Sequence, residues 1–304
     1  MKRIGVDLGG SKIEAVVLAD DGREHWRRRV ATPAGDYSAT VQAVTALVRQ
    51  AQQAAGGDTT IGIGTPGAVT AQGLMKNCNS TCLNEQPLPA DLRTAIGGPI
   101  AIANDADCLA LSEATDGAGA GAAVVFAAIL GTGVGAGVVA HGRLLQGPNR
   151  TAGEWGHNPL PWADEGDRPA PRCWCGQAGC LETWLSGPAL ARDHAAHGGA
   201  DIDAAEVAAR AAAGDAAAVA ALERHASRLA RALAAVINLL DPDVIVLGGG
   251  LSRVAALYER VPALWARWVF GAGVDGPVRT RLVPAVHGDA SGVRGAAWLG
   301  RQEV

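Results

Sequence analysis

Apolar and polar positions alternate over residues 3–8 (RIGVDL), and they alternate again from Lys12 onward (KIEAVVLA). The glycine pair Gly9-Gly10 between the two runs predicts a β-hairpin, and HWRRRVATP from His25 predicts a third strand. The pattern then changes period. Asp36 is a helix cap, Val41, Val44, Leu47 and Val48 fall on one helical face, and Gly56-Gly57 end the helix. TTIGIGTPG and PIAIAND read as strands ending at polar or glycine-rich tips, and a helix is predicted from about Ala106 to Gly117.

The second part of the chain opens as the first does. VVFAAILGTGVGAGVVAHG is strand, glycine turn, strand, a weak internal repeat of IGVDLGGSKIEAVVLADDG. Residues 155–180 are loop-like, with Pro, Gly, Trp and Cys. The alanine-rich stretch 202–240 predicts helix, broken at Gly214-Asp215. DPDVIVLGGG returns to strand, LSRVAALYERVPALWARWVF predicts an amphipathic helix, and GDASGVRGAAWLG predicts a last helix packing back onto the first lobe. The division expected is residues 1–117, with a returning helix at 288–304, and residues 118–287.

Composition narrows the class. The chain has 304 residues, 48% of them hydrophobic, and acidic residues exceed Lys plus Arg by 30 to 26. That length supports two α/β lobes, and the charge balance gives no general attraction to nucleic acid or anionic membrane. No apolar run has the length of a signal peptide or membrane helix, so a cytosolic protein with reduced thiols is expected.

Three of the six cysteines, Cys173, Cys175 and Cys180, lie in CWCGQAGCLE, with Glu182 two residues beyond. A disulfide is disfavoured in a reducing compartment, and no redox C-x-x-C is present. His157 precedes Cys173 by sixteen positions, and one imidazole with three thiolates suits a tetrahedral structural Zn²⁺. Cys78, Cys82 and Cys108 are scattered and read as ordinary thiols.

The turns DLGGSK and LGTGVGAG and the triple Gly248-Gly249-Gly250 can bring backbone N–H groups to an anion. Taken together they suggest a nucleotide cleft between lobes, with Asp7 placed for a hydrated Mg²⁺. Asn104-Asp105 at the end of a strand has two readings, a helix cap and a general base. Asp107 is the rival carboxylate, one turn into the helix.

These motifs, in this order and over essentially the whole chain, resemble the sugar kinases of the ROK family (repressor, open reading frame, kinase), and within it the bacterial fructokinases. GVDLGGSK resembles the first phosphate loop, ILGTGVGAGVVAHGRL lies in the signature region, and GEWGHNPLPW, C-x-C-G-x-x-G-C-x-E and DPDVIVLGGG follow. The resemblance implies the two-lobed actin-like ATPase fold, a ribonuclease H-like duplication with an interlobe cleft for ATP and sugar. It implies Asp105 as catalytic base, and Asn79, Asn104, Glu154, His157 and Glu182 as sugar ligands. His157, Cys173, Cys175 and Cys180 would ligate zinc. ATP with Mg²⁺ would meet Asp7, Gly9, Gly10, Ser11 and Lys12, and also Gly131, Thr132, Gly133, Gly248, Gly249 and Gly250. Ser11 stands where the family more often has Thr. The loop residues Asp164, Glu165, Asp167 and Arg168 follow no usable pattern.

NCNSTCLN and GHNPLPW resemble fructokinases most, so phosphorylation of D-fructose at its 6-hydroxyl is the expectation. Glucokinase, mannokinase and N-acetylglucosamine kinase are the alternatives, and the resemblance suggests a homodimer. A DNA-binding repressor would need a helix-turn-helix ahead of the first strand, which begins at Arg3. A non-catalytic sugar sensor would be expected to lack the base, and Asp105 is present.

Overall fold

A computed structural model describes residues 1–274 and 276–300. In chain order its strands and helices begin β1 (Lys2–Leu8), β2 (Lys12–Leu18), β3 (Glu24–Ala31), α1 (Tyr37–Ala55), β4 (Thr59–Thr65), β5 (Ala68–Val69) and β6 (Met75–Lys76). There follow α2 (Leu88–Ile96), β7 (Ala101–Asn104), α3 (Asp105–Asp116), β8 (Val124–Leu130), β9 (Val134–Ala140) and β10 (Arg143–Leu144). The rest comprises α4 (Glu182–Leu185), α5 (Gly187–Ala196), α6 (Ala204–Ala212), α7 (Ala216–Leu240), β11 (Val244–Gly248), α8 (Leu257–Leu264), β12 (Arg281–Pro284) and α9 (Ser291–Leu299).

Two compact units result. The first comprises Met1–Gly121, Gly137–Ala152 and the segment from Val286; the second comprises Ala122–Ala136 and Gly153–Ala285. Residues 137–152, which the sequence reading groups with the second lobe, cluster with the first unit. The described part of the returning helix is α9, and residues 301–304 lie outside the described residues.

The first sheet has the order β3-β2-β1-β4-β7. β1, β2 and β3 form an antiparallel meander, whereas β4 and β7 run parallel to β1. Ile4, Val6, Leu8, Ile13, Ala15 and Val17 of the hairpin are buried with Val44, Leu47 and Val48 of α1. The Asp36 carboxylate accepts the Ala39 N–H at 2.9 Å to start α1, and Gly56, at φ 63°, ends it.

α9 covers the first sheet at unusually close range. Gly5 of β1 and Gly62 of β4 are partners in register, and together they leave a groove for the helix backbone. A Cβ on Gly62 would stand 1.9 Å from the Ala296 carbonyl oxygen, and one on Gly5 2.1 Å from that of Val293.

The second sheet runs β10-β9-β8-β11-β12, with β8, β11 and β12 parallel. α7 carries the largest apolar face of the second unit; Leu222, Leu229, Leu233, Val236 and Ile237 are buried along it. The break before it falls at Gly214-Asp215, as the sequence reading places it, with Asp215 capping α7 through the Ala218 N–H.

The helix expected across residues 251–270 is interrupted. A 3₁₀ turn over Gly250–Arg253 precedes α8, and another over Trp265–Arg267 follows it. Pro262 lies inside α8 and lacks the N–H that would bond back to Tyr258, and regular helix ends at Leu264. No helix among the described residues is long and apolar enough to cross a membrane.

Candidate active site

In open parallel sheets ligands gather at the carboxyl ends of the strands. Register places Asp7 of β1 opposite Gly64 of β4, and Thr65 of β4 opposite Asn104 of β7, so these residues share one sheet edge. Asn104 caps α3, its Oδ1 accepting the Asp107 N–H at 2.6 Å. The cap reading of Asn104 therefore holds. That bond leaves the Asn104 amide N–H₂ for other partners.

Asp105 is the first residue of α3 and is solvent-exposed, with its Oδ1 accepting the Ala106 N–H at 2.8 Å. Burial pushes the Asp7 carboxyl up to about 6; the nearby Asp105 and Glu14 charges add to this, and Lys12 and Arg29 oppose it. A buried carboxylate held this way gains from a cation brought beside it. The first turn of α9 adjoins this carboxylate, since a Cβ on Gly292 would lie 3.2 Å from Asp7 Oδ2.

The first glycine turn closes with the Gly9 N–H donating to the Lys12 carbonyl at 3.0 Å, and Thr32 Oγ1 donates to the Gly9 carbonyl at 2.7 Å. A cavity of about 280 Å³ opens beside it, lined by Gly10, Thr32, Asn79 and Cys82 among others. Asp7, the turn, Asn79, Asn104 and Asp105 all belong to the first unit.

The remaining predicted residues belong to the second unit. The turn after β8 closes with the Gly131 N–H donating to the Gly133 carbonyl at 3.0 Å. Gly249 has φ 79°, and a Cβ there would stand 2.6 Å from the Leu130 carbonyl oxygen. Gly131–Gly133 and Gly248–Gly250 are thus neighbours at the carboxyl ends of β8 and β11.

Glu154 and His157 lie in a 3₁₀ turn, opened by Gly153 and packed against Val134 through Gly156. The loop beyond folds back on this turn. Leu160 N–H donates to the Gly179 carbonyl at 3.0 Å, and Leu181 N–H to that of Asn158 at 2.9 Å. This brings the ligand atoms of His157, Cys173, Cys175 and Cys180 within 4.8 Å of one another. His157 Nδ1 is 3.6 Å from Cys173 Sγ, and Cys175 Sγ is 3.6 Å from Cys180 Sγ. Zinc–thiolate bonds of about 2.3 Å in a tetrahedron set sulfurs about 3.8 Å apart, so the donor set fits the ion. Glu182, at the start of α4, accepts the Val134 N–H on Oε2 at 3.0 Å and the Trp174 indole N–H on Oε1 at 2.6 Å.

Sequence reasoning missed the groups that anchor this loop. Asp167 is buried and accepts Arg228 Nε and Arg231 Nη1, each at 2.8 Å. Arg231 also donates to the Trp162 carbonyl at 2.7 Å. Arg228 in turn reaches Asp193 at 2.7 Å, and its guanidinium lies 4.6 Å above the Trp184 ring. Burial alone would raise the Asp167 carboxyl, yet the bonds from Arg231 and Arg228 hold it below its ordinary value. One signal was present in the sequence: two arginines three apart among the apolar positions of α7 require buried acceptors.

The chain matches the ROK family over residues 3–303. It belongs to that family. It is 38% identical over 303 residues to the N-acetyl-D-glucosamine kinase of Salmonella paratyphi B, covering 97% of this chain and 98% of that protein. Among solved structures, the ROK hexokinase of Thermus thermophilus superposes with a TM-score of 0.85 at 32% identity, covering 98% of this chain and 97% of the other. A ROK family glucokinase from Streptomyces griseus, in complex with glucose and AMPPNP, gives 0.77 at 30% identity and covers all of both chains. The fold is the two-lobed actin-like ATPase fold of these sugar kinases.

Proposed function

We propose that this ROK family member transfers the γ-phosphoryl group of ATP to the 6-hydroxyl of a hexose, with N-acetyl-D-glucosamine as the preferred acceptor. The observation that carries the chemistry is Asp105, exposed at a helix N-terminus directly after β7, at the carboxyl ends of the parallel strands β1, β4 and β7 where Asp7 also lies. In this reading Asp105 takes the proton of the 6-hydroxyl as its oxygen bonds to the γ-phosphorus. The bond to the β-phosphate oxygen breaks, and ADP leaves. The glycine turns present backbone N–H groups to the phosphates, and Asp7 faces the magnesium that accompanies ATP.

Asn79, Asn104, Glu154, His157 and Glu182 then serve as hydrogen-bonding groups for the sugar. The donors His157, Cys173, Cys175 and Cys180 fit zinc, which when bound cross-links the loop and leaves no position for substrate. His157 offers Nδ1 to that cluster, so Nε2 is its nitrogen for a hydroxyl.

The fructose expectation rested on NCNSTCLN and GHNPLPW. The similar relatives instead bear the names N-acetyl-D-glucosamine kinase and glucokinase, which gives the aldohexoses, and the acetamido sugar first, the stronger support. Steady-state kcat/KM across N-acetyl-D-glucosamine, glucose, mannose and fructose with Mg·ATP tests this. N-acetyl-D-glucosamine is expected to lead, and a higher value for glucose or fructose overturns the assignment while leaving the kinase chemistry in place.

A further inference from the structure

Trp174 sits between the first two cysteines of the loop, and 67% of its surface is open to solvent. Even so it is held at two points. Its Nε1 donates to Glu182 Oε1 at 2.6 Å, and its ring meets the His157 imidazole edge to face, 4.9 Å between centroids at 87°. Two of the groups read above as sugar ligands are therefore touched by one exposed indole.

The other oxygen of Glu182 is held from the opposite side by the Val134 N–H. Gly133 makes this approach feasible, because a Cβ there would lie 2.7 Å from Glu182 Oε2. A carboxylate held by one donor swings about that bond. A second donor on its other oxygen fixes the plane. Each oxygen accepts more than one hydrogen bond, so both keep acceptor capacity after the indole and the amide are in place.

We propose that Trp174 is a positioning residue for sugar recognition, its indole N–H fixing the Glu182 carboxylate so that the two oxygens meet neighbouring hydroxyls of a pyranose. This rests on the reading of Glu182 as a sugar ligand. Nothing in this arrangement needs the indole ring to stack on the sugar; the N–H is the working part. The distinction is testable because phenylalanine keeps a ring without the N–H, whereas glutamine keeps an N–H donor without the ring.

The experiment uses the metal-loaded enzyme and compares wild type, Trp174→Phe and Trp174→Gln. Sugar KM, ATP KM and kcat are measured with N-acetyl-D-glucosamine and with glucose, alongside calorimetric sugar binding without ATP. Losing a hydrogen bond to a charged acceptor should raise the sugar KM of Trp174→Phe about tenfold, with ATP KM unmoved. Trp174→Gln should recover much of that loss. An unchanged sugar KM in Trp174→Phe overturns the proposal, as does a Trp174→Gln no better than Trp174→Phe, and either result leaves the kinase reading intact. A wild-type enzyme that neither binds nor phosphorylates any hexose sinks both.

Discussion

Asp167 accepts a hydrogen bond from Arg228 Nε at 2.8 Å, with 3% and 4% of the two side chains open to solvent. The pair joins a loop to the middle of α7 across sixty-one positions of sequence, and Arg231 completes it from the next turn of the helix. Charges this deep are stabilising only while each has its partner. Asp167→Asn keeps the volume but removes the charge both guanidiniums face. It should destabilise the protein by about 3–5 kcal/mol, read as a lower urea midpoint with an unchanged slope.

Asp105→Asn isolates the proposed base. The asparagine oxygen can still accept the Ala106 N–H, so the start of α3 should be preserved. Removing a general base costs roughly 10²–10⁴-fold, and kcat should fall by that much while ATP affinity stays put. Near-normal turnover would reduce Asp105 to a helix-terminal residue and make Asp107 the next to test.

The four-ligand cluster should retain one zinc per chain in protein purified without added metal. Cys175 is its exposed member, so Cys175→Ser tests the site with the least disturbance of the core. Loss of the ion should loosen the loop that carries Trp174 and raise the sugar KM. A stable, active wild-type protein free of metal on elemental analysis would contradict this.

His287 gives stability a pH dependence. Its Nε2 lies 3.0 Å from Asp116 Oδ1, Arg294 pairs with the other Asp116 oxygen, and Glu113 holds the His287 backbone. The Asp116 hydrogen bond raises the His287 pKa above 6.5, against burial and the Arg294 charge. Burial would raise Asp116, yet the bonds from His287 and Arg294 hold it below 3.8. The histidine contribution is therefore complete below 6.5 and lost as pH rises through its folded value, while the Asp116 contribution fails only as pH falls below 3.8. His287→Gln should cost more stability at about pH 5.5 than at about pH 8.5, measured by thermal unfolding in matched ionic strength.

What the sequence made legible was periodic or local. The hairpin at Gly9-Gly10, the cap at Asp36 and the break at Gly214-Asp215 each announce themselves within a few residues. His157 and the cysteine spacing likewise marked four donors, which the loop brings together by folding Leu160 onto Gly179 and Leu181 onto Asn158. Asp167 announces nothing, because a lone carboxylate in a Pro/Gly loop has no period, and its partners lie on a helix far along the chain. Trp174 was overlooked for a related reason: between two cysteines it reads as filler until Glu182 is folded back against it. The stretch 251–270 misled because its apolar spacing is helical, whereas the chain keeps only α8 as regular helix between 3₁₀ turns at Gly250–Arg253 and Trp265–Arg267.

The groove made by Gly5 and Gly62 bears on how the chain is made. The residues that fill it, Val293 and Ala296, are synthesised almost three hundred codons after Gly5. At roughly 5–20 residues per second the nascent first unit waits for roughly a quarter of a minute to a minute with the groove at Gly5 and Gly62 unfilled. Asp7 waits as well, since Gly292 arrives beside it on the same late helix. Asp7 acquires its finished surroundings only once Gly292 and the helix that carries it have been made.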